Sequence, residues 1–215
     1  MHTMDLTLLS GALPYSTRYN SKIGRESMDT VMLDACMKNR NVTSVAMARR
    51  NTEVAESRLP RTPCGEQMMR LMRAADPALL SGLFLADVQR TVGRMKAMGH
   101  LDGPVEISID GHKIPRDDRR QRPELVNSKS KKRTGQFESY VTAQCITRDG
   151  RITLGVVPQR KLETVSDIVP KLIHICRRAG VEIGTVMMDR EFFTAQVIKH
   201  MSENDVPFLI PCRDT

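Results

Sequence analysis

Two aspartates in this sequence come directly after short runs of residues that have the character of β-strands. Asp110 ends the alternating run "VEISID", and Asp189 follows the apolar run "TVMM". If these strands are neighbours in one sheet, the carboxylates converge, and two ionised acids placed together repel each other unless a cation lies between them. Carboxylate oxygens suit Mg²⁺ or Mn²⁺. With a third acid, two such ions could clamp the attacking and leaving oxygens of a phosphodiester.

A plainer interpretation of both aspartates is that a strand ends at the surface, where charged residues are common. The neighbouring basic segment, residues 116–133, favours the chemical interpretation. It contains eight basic and three acidic residues, a local net charge of +5 out of +8 for the whole chain. Such a segment is either a solvated loop or a contact region for DNA phosphates. The phosphate contacts that we expect there are Arg119, Arg120, Lys129, Lys131, Lys132 and Arg133.

The composition of the 215-residue chain excludes several classes of protein. Hydrophobic residues make up 40% and charged residues 27%, which is ordinary for a soluble globular protein, but aromatic residues make up only 4%. That argues against an aromatic platform for single-stranded nucleic acid. The five scattered cysteines predict reduced thiols, not a zinc site. No apolar run approaches the ~18 residues of a membrane span, so we expect a cytoplasmic, nucleoid-associated protein without membrane contact.

Residues 1–102 are predicted to form a small helical N-terminal region. The run Ser27–Arg40 has helical spacing with Ser27 as its N-cap, and "TSVAMARR" follows with Thr43 or Ser44 as its cap. Two helices joined by a short turn over residues 27–50 have the outline of a helix-turn-helix, in which Arg49 and Arg50 would contact DNA. The alternative is a pair of helices that only pack together.

Residues 103–215 are predicted to form an α/β domain. The order is a strand at "VEISID", a β-hairpin with its turn at Asp149-Gly150, a helix, the strand "IGTVMM", a helix and the strand "VPFLIPC". Units in which a helix connects two strands imply right-handed crossovers, so the order predicts a mixed sheet with flanking helices.

Three segments of this second region carry a family resemblance. They are "EISIDGHKIPRDD", "GQFESYVTAQCITRDGRITLGVVPQRKLET" and "GTVMMDREFFTAQVIKHMSENDVPFLIPC". They resemble the catalytic domain of DDE transposases and, more narrowly, the transposases of prokaryotic insertion sequences in the insertion-sequence-four-like group, archaeal members included. The resemblance covers roughly residues 103–213. It implies an RNase H-like fold that cuts and joins DNA ends with Mg²⁺, with Asp110 and Asp189 as the first and second catalytic aspartates and metal ligands.

The resemblance also implies partners and a departure from the family pattern. The partners are double-stranded DNA, both terminal inverted repeats and target DNA, and further copies of the chain in a homo-oligomer. The family's third acid, a Glu on a helix downstream of "VPFLIP", has no counterpart in this sequence. We therefore expect an incomplete copy that binds DNA with little strand transfer. The alternatives are a non-catalytic DNA-binding fragment of a transposase and a nuclease of the same fold.

His112 lies just beyond Asp110, and two interpretations of it stay open. It contacts DNA or a metal-bound water, or it is a surface residue that supports the ligands.

Overall fold

The computed structural model describes residues 23, 25–38, 40–58, 61–74, 77–116, 125–131, 134–148 and 150–212. The chain divides into two compact units, Met1–Phe84 and Leu85–Thr215. The domain boundary expected after residue 102 stays a prediction. Within the described ranges, none of the helices has the length and apolarity needed to cross a membrane.

The first unit is built from helices. They are α1 (Arg25–Met37), α2 (Val42–Ala55) and α3 (Gly65–Ala74), while the division between the units falls within α4 (Pro77–Ala97). Apolar residues spaced three and four apart give each of the first three helices a face to bury. These faces enclose a small core of Met28, Val31, Ala35, Val45, Ala46 and Met68. The two helices predicted between residues 27 and 50 are present, and the helix-turn-helix function stays a prediction.

The predicted N-caps of these two helices are wrong. Ser27 lies inside α1, and α2 begins after Asn41. The side-chain oxygen of Asn41 accepts hydrogen bonds from the Ser44 N–H and the Thr43 hydroxyl, each at 2.7 Å. Because an Asn in this position satisfies a free N–H of the first turn, it caps α2 one residue before Val42.

The second unit is built on a six-stranded mixed sheet. Its strands are β1 (Val105–Arg116), β2 (Val126–Lys131), β3 (Thr134–Thr147), β4 (Gly150–Gln159), β5 (Ile183–Met188) and β6 (Phe208–Leu209). Strand β3 pairs antiparallel with β1 on one edge and with β2 and β4 on the other, and the pairs β1–β5 and β5–β6 are parallel. Helices α5 (Val165–Arg178) and α6 (Ala195–Glu203) flank the sheet. The predicted mixed α/β architecture is confirmed.

The strand boundaries differ from the prediction in three places. Strand β1 does not end at Asp110, because its ladder with β3 continues to the pair of Arg116 and Gln136. Strand β2 lies in the basic segment, for which the sequence indicated no strand. The last strand is two residues long, much shorter than the run "VPFLIPC" from which it was predicted.

One face of the sheet forms the core of the second unit. Ile107 and Ile109 of β1 lie on this face beside their register partners Val186 and Met188 of β5, and all four are buried. Helix α5 contributes Ile168, Val169, Leu172, Ile173 and Cys176 to the same core. This packing fixes β1 and β5 side by side.

Candidate metal centre

Asp110 and Asp189 lie at matching positions on neighbouring strands. The parallel ladder of β1 and β5 ends with Ile109 opposite Met188, and each aspartate is the next residue along the chain. Neighbouring strands lie about 4.8 Å apart, so both acids stand at the same end of this ladder. The convergence that the sequence predicted is confirmed for the backbone positions of the two residues.

Both acids lie on the face of the sheet opposite the core. Successive side chains of a strand alternate between the two faces, and Ile109 and Met188 point into the core with exposures of 2% and 5%. Asp189 keeps an extended backbone, with φ −76° and ψ 174°, so the alternation continues through it. The Asp110 side chain is 56% exposed, and Asp189 is exposed as well. The carboxylates are therefore open to a cation from solvent.

The Asp189 carboxylate has a structural role, because it caps the 3₁₀ turn Arg190–Phe192. Its Oδ1 accepts a hydrogen bond of 2.7 Å from the Glu191 N–H. This bond orients the side chain, and in the described part of the chain no hydrogen bond engages Oδ2. An aspartate here thus stabilises the turn and still presents one free carboxylate oxygen.

Asp110 has a different environment. Its carboxylate makes no hydrogen bond with the described residues. The His112 Nε2 lies 3.8 Å from its Oδ2, which is beyond hydrogen-bond range. The same nitrogen lies 3.2 Å from the Thr142 Oγ1, and the imidazole stacks on the Tyr140 ring with 5.0 Å between centroids. Both interpretations of His112, a contact with DNA or a metal-bound water and a surface residue or one that supports the ligands, stay predictions.

A salt bridge connects β1 to the turn after β5. The Lys113 Nζ lies 3.1 Å from the Glu191 Oε2 and 3.4 Å from Oε1. The two residues are 78 positions apart, and no local sequence pattern indicates that they meet. The pair spans the same two strands that carry Asp110 and Asp189.

The donor chemistry of the two acids fits a hard divalent cation. Carboxylate oxygens are ligands that Mg²⁺ and Mn²⁺ prefer, and water commonly completes the coordination shell of Mg²⁺. Within the described ranges, no group of three or more His, Cys, Asp or Glu side chains could hold a metal ion. That Asp110 and Asp189 are metal ligands stays a prediction.

The two arginines predicted to contact DNA in the first unit differ in their surroundings. The Arg49 Nε lies 2.6 Å from the Asp34 Oδ2, so this side chain connects α2 to α1. The side chain of Arg50 makes no hydrogen bond or ion pair with the described residues. It lines a groove of about 770 Å³ formed with Thr43, Cys64, Gly65, Glu66, Gln67, Met69 and Arg70. Arg50 is thus the freer of the two to contact an anion.

The remaining predicted phosphate contacts belong to the basic segment. Arg119, Arg120, Lys132 and Arg133 lie outside the described residues, as do the side chains of Lys129 and Lys131 in β2. Both described flanks of the segment pair with the first residues of β3. That is the end of the sheet toward which β1 runs from Asp110. The basic segment therefore leaves the sheet beyond Asp110 in the direction of β1, six residues further along that strand.

Comparison with known proteins finds likeness in structure only. No family model matches the sequence, and no curated protein matches it. The piggyBac transposase in a synaptic complex with hairpin DNA aligns with a TM-score of 0.42 and 12% identity, over 97% of this chain and 51% of that one. The Mos1 transposase paired-end complex aligns with a TM-score of 0.30 and 8% identity, over 91% and 60%. The Mos1 strand transfer complex aligns with 0.30 and 7%, over 92% and 61%.

The chain therefore spans between about half and three fifths of the length of these transposases.

Proposed function

We propose that the chain is a DNA transposase of a prokaryotic insertion sequence, of the insertion-sequence-four-like group. In this proposal residues 103–215 form an RNase H-like catalytic domain that cleaves and joins DNA at the element ends by metal-dependent phosphoryl transfer. The observation that supports it is the β1–β5 register, whose last pair joins Ile109 and Met188, the residues directly before Asp110 and Asp189. The sequence resemblance of three segments supports the same assignment.

Asp110 and Asp189 would be the ligands of Mg²⁺ or Mn²⁺. A bound ion of this kind polarises a phosphoryl oxygen and activates a water or hydroxyl nucleophile. The protein contributes the orientation of the ligands. The Glu191 N–H fixes one oxygen of Asp189, and the Lys113–Glu191 salt bridge holds the following turn against β1.

DNA binding would come from the basic segment beside this site. Phosphate contacts by lysine and arginine supply affinity that does not depend on sequence and falls as salt rises. The segment follows β1 in the chain, and its first residue, Arg116, lies six residues beyond Asp110 on that strand. Terminal inverted repeats, target DNA and a homo-oligomer are the partners that the proposal includes.

The metal ligands are tested by Mn²⁺ binding to the full chain, measured as free Mn²⁺ by electron paramagnetic resonance. We expect the wild type to bind Mn²⁺ and both Asp110→Ala and Asp189→Asn to lose that binding. Asn is chosen at position 189 because it also caps helical turns well, so the turn is kept while the charge is removed. The control is Glu106→Ala, which removes an exposed acid from the same strand and face, and it should bind like the wild type.

The same four proteins are then compared for binding to duplex DNA at several salt concentrations. We expect equal affinity and equal salt dependence, because neither acid contacts the phosphates directly. Unchanged Mn²⁺ binding in both aspartate variants would refute the metal centre. Loss of DNA binding together with Mn²⁺ binding would show that the acids are structural.

A further inference from the structure

We propose that His112 is a positioning residue that orients the Asp110 carboxylate for metal binding. This inference rests on the proposed function of Asp110 as a ligand. It starts from the β1–β3 ladder, in which Asp110 lies opposite Thr142 and His112 lies opposite Tyr140. Residues two apart on a strand share a face, so these four side chains form one group on the exposed face of the sheet.

Two contacts hold the His112 ring in place. Its plane stacks on Tyr140 at an angle of 28° between the rings, and its Nε2 lies 3.2 Å from the Thr142 hydroxyl. Thr142 is only 6% exposed, and a hydroxyl so little exposed to water depends on a protein partner for its hydrogen bond. The ring is therefore restrained at its plane and at Nε2.

The restrained nitrogen faces one oxygen of Asp110. Nε2 lies 3.8 Å from Oδ2, and a movement of roughly 0.8 Å would bring the two atoms within hydrogen-bond distance. In the tautomer with its proton on Nε2, this N–H donates to the Thr142 Oγ1 and also faces Oδ2 of Asp110, which favours the carboxylate rotation that leaves Oδ1 for a cation. Carboxylates that bind metals are held by outer hydrogen bonds of this kind, and loss of such a partner typically costs about 10–100-fold in metal affinity.

The carboxylate of Asp189 also has a neighbouring N–H group, from Glu191. There the Glu191 N–H engages Oδ1 and leaves Oδ2 without a hydrogen bond in the described part of the chain. Asp189 thus has an N–H bonded to one carboxylate oxygen at 2.7 Å, and Asp110 has the His112 Nε2 at 3.8 Å from one carboxylate oxygen. The His112 Nε2 is already shared with Thr142, which favours a positioning role over direct ligation of the metal.

The experiment measures Mn²⁺ dissociation constants for the full-length wild type, His112→Ala, His112→Gln and the control Glu106→Ala, with circular dichroism melting curves as a check of folding. We expect His112→Ala to weaken Mn²⁺ binding at least about tenfold. His112→Gln should recover most of the affinity, because its amide N–H can donate to Asp110 in place of the imidazole N–H. Glu106→Ala should bind like the wild type.

The outcomes separate this inference from the proposed function. Wild-type affinity in a folded His112→Ala, while Asp110→Ala abolishes binding, overturns the positioning role and leaves the metal centre intact. Equal loss in His112→Ala and His112→Gln also overturns it, because the N–H donor of the Gln amide then restores nothing. Absence of Mn²⁺ binding in the wild type refutes the proposed function and this inference together.

A variant at the partner residue decides the question where His112→Ala does not fold. Thr142→Val keeps the volume of the side chain and removes the hydroxyl that holds Nε2. A weaker Mn²⁺ affinity in the folded Thr142→Val protein supports the positioning role, and unchanged affinity overturns it.

Discussion

The Asp34 carboxylate, in helix α1, is held by two basic side chains of the first unit. The Arg49 Nε donates a hydrogen bond to its Oδ2 at 2.6 Å, and the Lys38 Nζ lies 3.4 Å from the same atom. The hydrogen bond from Arg49 is the largest reason why the pKa of Asp34 lies below its ordinary value of 3.8. A carboxylate with a depressed pKa stabilises the folded state above that value, and the contribution is lost as the pH falls further.

We predict that Asp34→Asn lowers the local free energy of unfolding of α1 and α2 by about 1 kcal/mol at pH 7. The measurement is native-state hydrogen exchange of the α1 and α2 amides. The difference from the wild type should shrink as the pH falls below 3.8, because the unfolded wild-type chain then binds a proton that the folded Asp34, with its lowered pKa, does not take up until the pH falls further. Lys38→Met is the control, since its more distant and more exposed pair should cost less. A difference that stayed constant from pH 7 to pH 3 would contradict the assignment to this charge.

Individual residues also show which parts of the candidate site can be predicted from the sequence. Asp110 and Asp189 could be predicted, because a strand pattern that ends on an acid is visible in a local window. The contact of His112 with Thr142 joins positions 30 residues apart, and that of Lys113 with Glu191 joins positions 78 apart. Such contacts depend on the register of strand pairs, and a local pattern contains no information about register.

At the scale of elements, β1 shows why strand ends are harder to predict than strand centres. After Asp110 the run "GHKIPR" contains Gly and Pro, which are depleted in strands. The strand continues because β3 is long enough to pair with it as far as Gln136. The ladder with β5 ends at Ile109, so the edge of β1 that faces β5 is unpaired at Pro115. Proline has no N–H to donate, and it is tolerated in a strand where one edge is unpaired.

The contact between β4 and α5 depends on a glycine. A Cβ built on Gly155 would lie 2.7 Å from the Cγ2 of Ile175 in α5. This close approach explains why the strand has a glycine at this position, although glycine inside a strand costs roughly 0.5–1 kcal/mol of stability relative to alanine. The sequence shows Gly155 but not the helix above it, so the reason for the glycine lies outside any local window.

We predict that Gly155→Ala destabilises the second unit by about 1–3 kcal/mol, because the added methyl group overpacks the contact with Ile175. Urea unfolding followed by circular dichroism gives the free energy. The matched control is Gly93→Ala in α4, where a Cβ meets nothing within 4 Å and alanine should be neutral or stabilising. In an Ile175→Ala background the cost of Gly155→Ala should fall, since the clashing methyl group is gone. An equal cost in both backgrounds would exclude the clash as the cause.

At the scale of the whole molecule, the basic segment is attached to one end of the sheet of the second unit. The basic segment, residues 116–133, carries +5 of the net +8, and both of its described flanks pair with the start of β3. The hairpin of β3 and β4 turns at the opposite end of the sheet, after Thr147. Arg148 and Arg151 are exposed basic residues at that end. They carry the same charge as two residues of the basic segment and can therefore serve as a control for location.

We predict that the double variant Lys132→Ser and Arg133→Ser weakens binding to duplex DNA and makes it less sensitive to salt. The slope of log K against log salt should become shallower by about 0.9 for each phosphate contact that is lost. Fluorescence anisotropy with a labelled duplex gives that slope. Arg148→Ser with Arg151→Ser removes the same net charge at the far end of the sheet, so it should leave the slope near that of the wild type. Equal changes in the two double variants would mean that overall charge attracts DNA and that the basic segment is a solvated loop.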